Sequence, residues 1–385
     1  MIPGIITRFC SRQLLSVKNN VRHFSEAVRE KNREQEKMLS WQIHAYGNLE
    51  ELQLSQQTRI PYITNPDEVL IKVHASSVNP IDVEMISGFG STALNLMRKM
   101  DNVEFPLTLG RDFSGTVVSK GLSEANEIPV GAAVWGVVPV HQQGCHAEYV
   151  IVDRRMISAK PKNLDTHEAA SMLYAGLTAY SGLKWSANLN MENMSGLRAL
   201  VLGASGGVGT SAVQLLHYGS AKVTATCASD AVPMVEGLGA DLVLDYTDPD
   251  FEQKLCDNGR YDLILDCAGL GTDCATKKPW EFRTYVTFTT PVLKNLDKLG
   301  LFRGVITSAS DILCPNIDAL KKGRAVKWAY FVPTVEGIDH IYNLVTAKKM
   351  RPIVQQIYKF NETPEAYKRL QKGHLRGKIV IDISG

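Results

Sequence analysis

One stretch limits what this chain can fold into: Leu197 to Gly219, LRALVLGASGGVGTSAVQLLHYG. Ala199-Leu200-Val201-Leu202 is a run of strand formers, Gly203 to Gly209 a glycine-rich turn, and the rest an apolar pattern at helical spacing. A strand that turns this tightly into a helix needs residues without bulk. It also aims the bare N–H groups and positive dipole end of the helix at whatever lies above the turn. The pyrophosphate of a dinucleotide suits such a turn. The fingerprint G-x-G-x-x-G is incomplete, because Ala204 stands at its first position, ahead of Gly206 and Gly209. Taken alone, the turn leaves two readings open, a dinucleotide site and an ordinary turn.

The flanking pattern narrows the choice. Strand-like runs at Lys222 to Cys227, Leu242 to Asp245, Leu263 to Cys267 and Thr284 to Thr289 alternate with helix-like runs at Asp230 to Leu238 and Asp248 to Cys256. Val326 to Val332 reads as a last strand. Such alternation predicts an α/β, doubly wound parallel sheet covered on both faces. Upstream, Ser40 to His44, Glu68 to Val73, Ser114 to Val118, Ala132 to Val138 and Ala147 to Val152 are short strands punctuated by Gly, Pro and Asn, which predicts a β-rich, barrel-like module. Thr166 to Leu183 has helical spacing. After the sheet come helical spacing (Glu336 to Ala347), a further segment (Ile353 to Phe360), a helix (Thr363 to Gln371) and a final strand (Lys378 to Ile383). The simplest arrangement returns this end to the first module, giving one domain of residues 38–160 with 333–385 and another of 161–332.

Composition sets outer limits. The 385 residues suffice for two domains. Seven cysteines lie scattered without a C-x-x-C pair, against a disulfide framework or a cysteine-rich zinc site. Four basic residues, Arg8, Arg12, Lys18 and Arg22, precede the first acid, Glu26, and the remainder is slightly acidic. That balance offers no electrostatic case for nucleic-acid binding. The acid-free, Arg- and Ser-bearing stretch 1–24 reads as a mitochondrial transit peptide cut after Phe24, and 25–37 as a charged linker.

Five segments, the glycine-rich turn among them, fall in a recognisable order. They are Val78-Asn79-Pro80-Ile81-Asp82, Phe105 to Gly115 (FPLTLGRDFSG), Gly144 to Val150 (GCHAEYV), Gly203 to Gly209 and Gly373 to Lys378 (GHLRGK). Together they resemble the medium-chain dehydrogenase/reductase superfamily, in its zinc-free quinone oxidoreductase branch. The resemblance implies a GroES-like substrate domain beside a Rossmann NADPH-binding domain, and it makes Ala204 an ordinary variant. Zinc-dependent members carry Cys where Asn79 stands and Gly-His-Glu where Gly110-Arg111-Asp112 stands, so no metal is expected. His44, His74, His141 and His146 are expected to be surface or packed residues.

The resemblance also implies a site. Ser205, Gly206, Gly207, Val208 and Gly209 would line the pyrophosphate, Ser229 and Tyr246 the adenosine end, and Phe288, Ala329 and Phe331 the nicotinamide side. His374, Leu375 and Arg376 would form a return loop, Arg376 being either a phosphate ligand or a solvated charge. Cofactor choice turns on the end of the second sheet strand, aligned at Cys227. A neutral end favours NADPH, whereas a slip that places Asp230 there reverses the preference. No basic residue follows that strand, so any charge partner for a 2′-phosphate must come from elsewhere. Asn79 is expected either to donate to a substrate oxygen or to cap the turn before Pro80, and Asp82 to be a structural cap. Tyr174 and Tyr180 are expected to be packing residues.

The implied function is metal-free hydride transfer from NADPH to a quinone or enone-like acceptor. Such an acceptor spreads developing charge by conjugation and needs little acid catalysis. The resemblance further implies a mitochondrial matrix location, a link to coenzyme Q synthesis and respiratory-chain upkeep, a homodimer, and a reticulon-type membrane protein or respiratory-chain and coenzyme Q factors as partners. The alternative is an NADPH-binding interaction protein with little turnover.

Overall fold

The computed structural model describes residues 36–98, 104–123 and 127–384. The targeting stretch 1–24 and nearly all of the linker lie outside them, and the first strand already begins at Lys37.

The sheet that carries the glycine-rich turn has six parallel strands. Their order is Leu242–Asp245, Lys222–Cys227, Arg198–Leu202, Tyr261–Asp266, Phe282–Thr287, Ala325–Trp328. Arg198–Leu202 is buried from its second residue onward on both faces, as a parallel strand between two helical layers must be. It lies where the strand order reverses. Gly203 therefore opens at the topological switch point, the crevice in which open α/β sheets bind ligands.

The second large sheet is mostly antiparallel and joins the two ends of the chain. Val354–Lys359 and Lys378–Asp382 pair with one another, and Lys378–Asp382 pairs antiparallel with Glu68–Val78. Glu68–Val78 continues the sheet to Asp112–Lys120, Ala133–Val137 and Ile157–Ala159, and also pairs with Tyr149–Asp153. Each module has its own apolar core, with Leu173, Leu177, Val201 and Leu215 in one and Ile43, Ile71, Phe113 and Ile379 in the other.

Two expected elements differ, and one element was not expected. The single helix over Thr166 to Leu183 is two, Thr166–Ala170 and Leu173–Ser181, because Ser171 turns its N–H and hydroxyl back onto Glu168 O and ends the first. A wider π turn, Gly182–Ser186, follows. The last sheet strand stops at Trp328, after which Ala329 N–H makes a final bond to Thr287 O and the chain leaves the sheet. Residues 292–321, whose pattern carried no expectation, are helical, with a break at Gly300 (φ 73°).

Candidate active site and cofactor cleft

The turn after Leu202 is shaped by contacts that only small residues allow. A Cβ at Gly209 would lie 2.2 Å from Gly203 O, and one at Gly203 would lie 2.9 Å from the Ala268 backbone. Ala204 is fully buried and donates its N–H to Thr226 O at 2.8 Å, so a methyl group fits where the fingerprint has glycine. Gly206 is different, since an added Cβ would meet only Gly203 O, at 3.7 Å. It faces open space, and it is the N-cap of Gly207–Tyr218 with no side chain capping the helix. The first N–H groups of a helix have no partner within it, so this end is open to an anion. The turn fits a dinucleotide pyrophosphate.

The C-terminal loop closes over this turn. Gly377 N–H donates to Ser205 O at 2.8 Å. Gly377 has φ 74°, and a Cβ there would lie 2.0 Å from Ile353 O, so this crossing requires glycine. Arg376 contacts Ser205 Oγ at 3.3 Å and grips Asp230 in two bonds, Nε at 3.1 Å and Nη2 at 2.6 Å. The guanidinium hydrogen bonds hold the Asp230 carboxyl below its usual range. His374, itself at φ 50°, places Nδ1 3.3 Å from the Tyr246 hydroxyl. Ser205, Ser229, Tyr246, His374 and Arg376 therefore gather around the ends of three neighbouring strands, with Leu375 packed into the substrate-side core. Cys227 ends its strand as aligned, and Asp230 sits beyond it in the short turn Ser229–Ala231. The basic side chain found beside this strand end is Arg376, 146 residues after Asp230 and paired with it.

The other expected residues form a wall further along the sheet. A Cβ at Gly182 would lie 2.7 Å from the Phe288 ring, so that ring is turned into the protein. Ala329 is buried. Phe331 stacks on Tyr174, with centroids 4.2 Å apart and planes at 25°. Tyr174 N–H in turn reaches Asp112 Oδ2 at 3.3 Å. Tyr180 packs in the core as expected.

Asp112 belongs to a buried polar cluster at the junction of the modules. Asn79, 2% exposed, donates Nδ2 to Asp112 Oδ1 at 2.9 Å and to Ser77 O at 3.4 Å, and its Oδ1 accepts from Lys378 Nζ. The Asn79 side chain is thus engaged within the protein, at the N-cap of Pro80–Ile86. Its amide hydrogens face Asp112 and Ser77 O, and the helix start at Pro80 is closed by a capping box in which Asp82 accepts from Asn79 N–H at 2.9 Å. Asp82 also accepts from Gly110 N–H at 2.9 Å and faces Arg111 Nε at 3.4 Å, both side chains fully buried. Burial raises the Asp82 and Asp112 carboxyl pKa values and lowers that of the Lys378 ammonium; the opposite charges, Arg111 and Lys378 at Asp82, Lys378 at Asp112 and both carboxylates at Lys378, oppose these shifts.

These residues do not fit zinc. An ammonium and a guanidinium stand among the carboxylates, and burial drives the neighbouring Cys145 thiol upward, away from thiolate. Among the described residues no group of three or more His, Cys, Asp or Glu is placed to hold a metal ion.

His146 bonds to Ser76 Oγ at 2.9 Å, and burial pushes its imidazole pKa down to about 3. The unfolded chain takes up that proton near pH 6.5, the folded chain only near 3. The unfolded state thus binds more protons across this window, and stability falls as pH drops through it, by at most about 1.4 kcal/mol per pH unit. Urea unfolding between these limits should show that slope, and His146→Gln should flatten it.

Lys378 and Asp112 went unassigned from sequence, although both lie in the quoted motifs. The signal for Lys378 was available: it heads a strand, KIVID, whose first four residues are all buried.

Comparison with known proteins agrees with this architecture. The family profile described as alcohol dehydrogenase GroES-like domain matches residues 65–162, and the one described as zinc-binding dehydrogenase matches 238–381. The chain belongs to the medium-chain dehydrogenase/reductase superfamily. Within it, the chain is 44% identical over 360 residues to the Drosophila melanogaster protein named NAD(P)H oxidoreductase RTN4IP1, mitochondrial, covering 90% of this chain and 87% of that one. It is 33% identical to the Caenorhabditis elegans protein named reticulon-4-interacting protein 1, mitochondrial, covering 85% and 91%. A solved structure of the quinone oxidoreductase from Coxiella burnetii matches with a TM-score of 0.71 at 27% identity, covering 90% of this chain and all of that one.

Proposed function

We propose that the chain is an NADPH-dependent reductase of a quinone or enone-like acceptor that works without a metal, in the mitochondrial matrix. The observation that carries this reading is the uncapped helix end at Gly206, lying under a return loop that brings Arg376 beside Ser205 and Asp230. When bound, the cofactor supplies a hydride. The chain's own residues bind, orient and shield. Backbone N–H groups of Ser205 to Gly209 hold the pyrophosphate, while Ser229, Tyr246 and His374 surround the adenosine end. Arg376 exchanges part of its grip on Asp230 for the 2′-phosphate. Backbone at Phe288, Ala329 and Phe331 lines the nicotinamide side. Asn79 acts as a positioning residue, joining Lys378 to Asp112 beneath the acceptor. The acid-free N-terminal stretch and the mitochondrial names of the relatives support the location. The relatives' names also support a reticulon-type partner, and a quinone acceptor is consistent with the implied link to coenzyme Q.

Arg376→Ala tests the cofactor assignment. A hydrogen bond to a charged group is worth about 1.5–3 kcal/mol, so NADPH affinity should fall about tenfold or more while NADH affinity changes little. Titration of wild type and variant with both cofactors reads this directly. Equal affinity of the wild type for NADPH and NADH would remove the 2′-phosphate role from Arg376.

A further inference from the structure

The empty cleft already holds its arginine in an anion's grip. Arg376 offers the fork of Nε and Nη2 to Asp230, at 3.1 and 2.6 Å, the two-bond geometry by which a guanidinium also takes a phosphate. Its other terminal nitrogen, Nη1, donates to Ser205 Oγ at 3.3 Å and to Leu375 O at 3.2 Å. Each of the three nitrogens is thus engaged within the protein. A phosphate that meets Arg376 through the same fork has to take the place of the carboxylate.

The two partners are not held alike. The Arg376 side chain is 20% exposed and that of Asp230 68%. The loop that bears Arg376 is tied down by bonds in which Asp230 has no part: Arg376 N–H donates to Gln355 Oε1 at 2.8 Å, and Gly377 N–H to Ser205 O at 2.8 Å. Displacing Asp230 therefore leaves the loop in place and returns the acid to water. An exposed ion pair is weak enough for such an exchange. The surroundings add to the effect. Asp245 ends the neighbouring strand Leu242–Asp245, and Glu236 ends the helix Val232–Glu236. Both act with Asp230 to raise the Cys227 thiol pKa, and Arg376 acts the other way. A 2′-phosphate arriving at this strand end meets repulsion as well as a competitor for its cation. NADH carries a hydroxyl at that position and meets neither.

We infer that Asp230 is a specificity-determining residue: its carboxylate stands in for the 2′-phosphate on Arg376 and competes with it, which holds the preference for NADPH over NADH below what Arg376 alone would give. The inference rests on the reading of this cleft as an NADPH site.

Titration of Asp230→Asn with NADPH and with NADH, beside wild type, tests it. Asparagine keeps the shape and removes the charge at an exposed position, so the melting temperature should be unchanged. NADPH should bind about fivefold tighter and NADH as before. Asp230→Glu, which keeps a carboxylate, should bring NADPH affinity back towards that of wild type. In an Arg376→Ala background most of the gain from Asp230→Asn should vanish, because no cation is left to compete for. Unchanged or weaker NADPH binding in Asp230→Asn overturns the inference, and so does a gain as large without Arg376 as with it. Weaker NADH binding with NADPH binding unchanged overturns it as well, and makes Asp230 an acceptor for the ribose hydroxyls. Each of these results leaves the cofactor reading standing where Arg376→Ala weakens NADPH binding. If Arg376→Ala leaves NADPH affinity unchanged, that reading and the inference fall together.

Discussion

Gly207→Leu is expected to abolish NADPH binding while leaving the sheet intact. Gly207 opens the helix Gly207–Tyr218, and a Cβ there already lies 2.8 Å from Lys378 Cδ and 3.6 Å from Gly377 O. A leucine must push into the return loop or out over the helix end, and in either place it takes the room of the pyrophosphate. Each lost hydrogen bond to a charged group is worth about 1.5–3 kcal/mol, so two such bonds correspond to about a hundredfold or more in affinity. Gly206→Ala is the gentler companion, since its methyl group meets only Gly203 O at 3.7 Å and the fold should be untouched. Cofactor titration with circular dichroism as a control separates loss of binding from loss of structure. Wild-type affinity in both variants would show that the turn is merely a turn.

Lys378→Met is expected to destabilise the protein more than any surface substitution. The ammonium is bonded to Asn79 Oδ1 and, at 3.1 Å, to Val78 O, and Asn79 passes the connection to Asp112. Methionine keeps the aliphatic stem that packs under Gly207 but removes the positive charge. Asp112 and Asp82 then share one buried cation, Arg111. Breaking a buried charge arrangement by removing one partner costs about 3 kcal/mol or more. Denaturant unfolding measures the loss. Asp112→Asn in the same chain should recover part of it, because the carboxylate left without its partner is gone, and the double-mutant cycle gives the coupling. Additive effects of the two changes would mean that the ammonium and the carboxylate do not communicate through Asn79.

What could be read from the sequence follows from the range of the interactions involved. Strands alternating with helices leave short runs of apolar and β-branched residues, so Lys222–Cys227, buried from its second residue, and the partly buried edge strand Leu242–Asp245 were placed to the residue. Gly203–Gly209 was legible because backbone geometry restricts side-chain size there. Three features were not. The split at Ser171 depends on one hydroxyl returning to Glu168 O. The last sheet strand ends at Trp328, and Phe331 beyond it stacks on Tyr174 from a distant segment, a contact the local pattern does not show. The helical segment 292–321 is broken by Gly300, contains Pro315 and exposes much of its apolar face, so its pattern lacks the one-sided period of a helix packed on a core.

The site divides in the same way. Candidate residues that offer only backbone, such as Gly206 and Gly207, are marked by their own identity. Those that act through charge are marked only by their partners. Arg376 looked as much like a solvated charge as a ligand until the fold set it on Asp230 and Ser205. Asn79 shows in the sequence neither Asp112, to which its amide nitrogen donates, nor Lys378, 299 residues away, from which its carbonyl oxygen accepts. The superfamily resemblance supplied the order of the motifs, but the Lys378–Asn79–Asp112 connection is a property of the folded junction.

The most direct measurement is oxidation of reduced nicotinamide by the purified chain, followed with and without a soluble quinone or an enone. Oxidation should depend on the acceptor, run faster with NADPH than with NADH, persist in the presence of a zinc chelator, and vanish in Gly207→Leu. NADPH that binds tightly yet is oxidised no faster with any acceptor than without one would contradict a reductase and leave a cofactor-binding interaction protein.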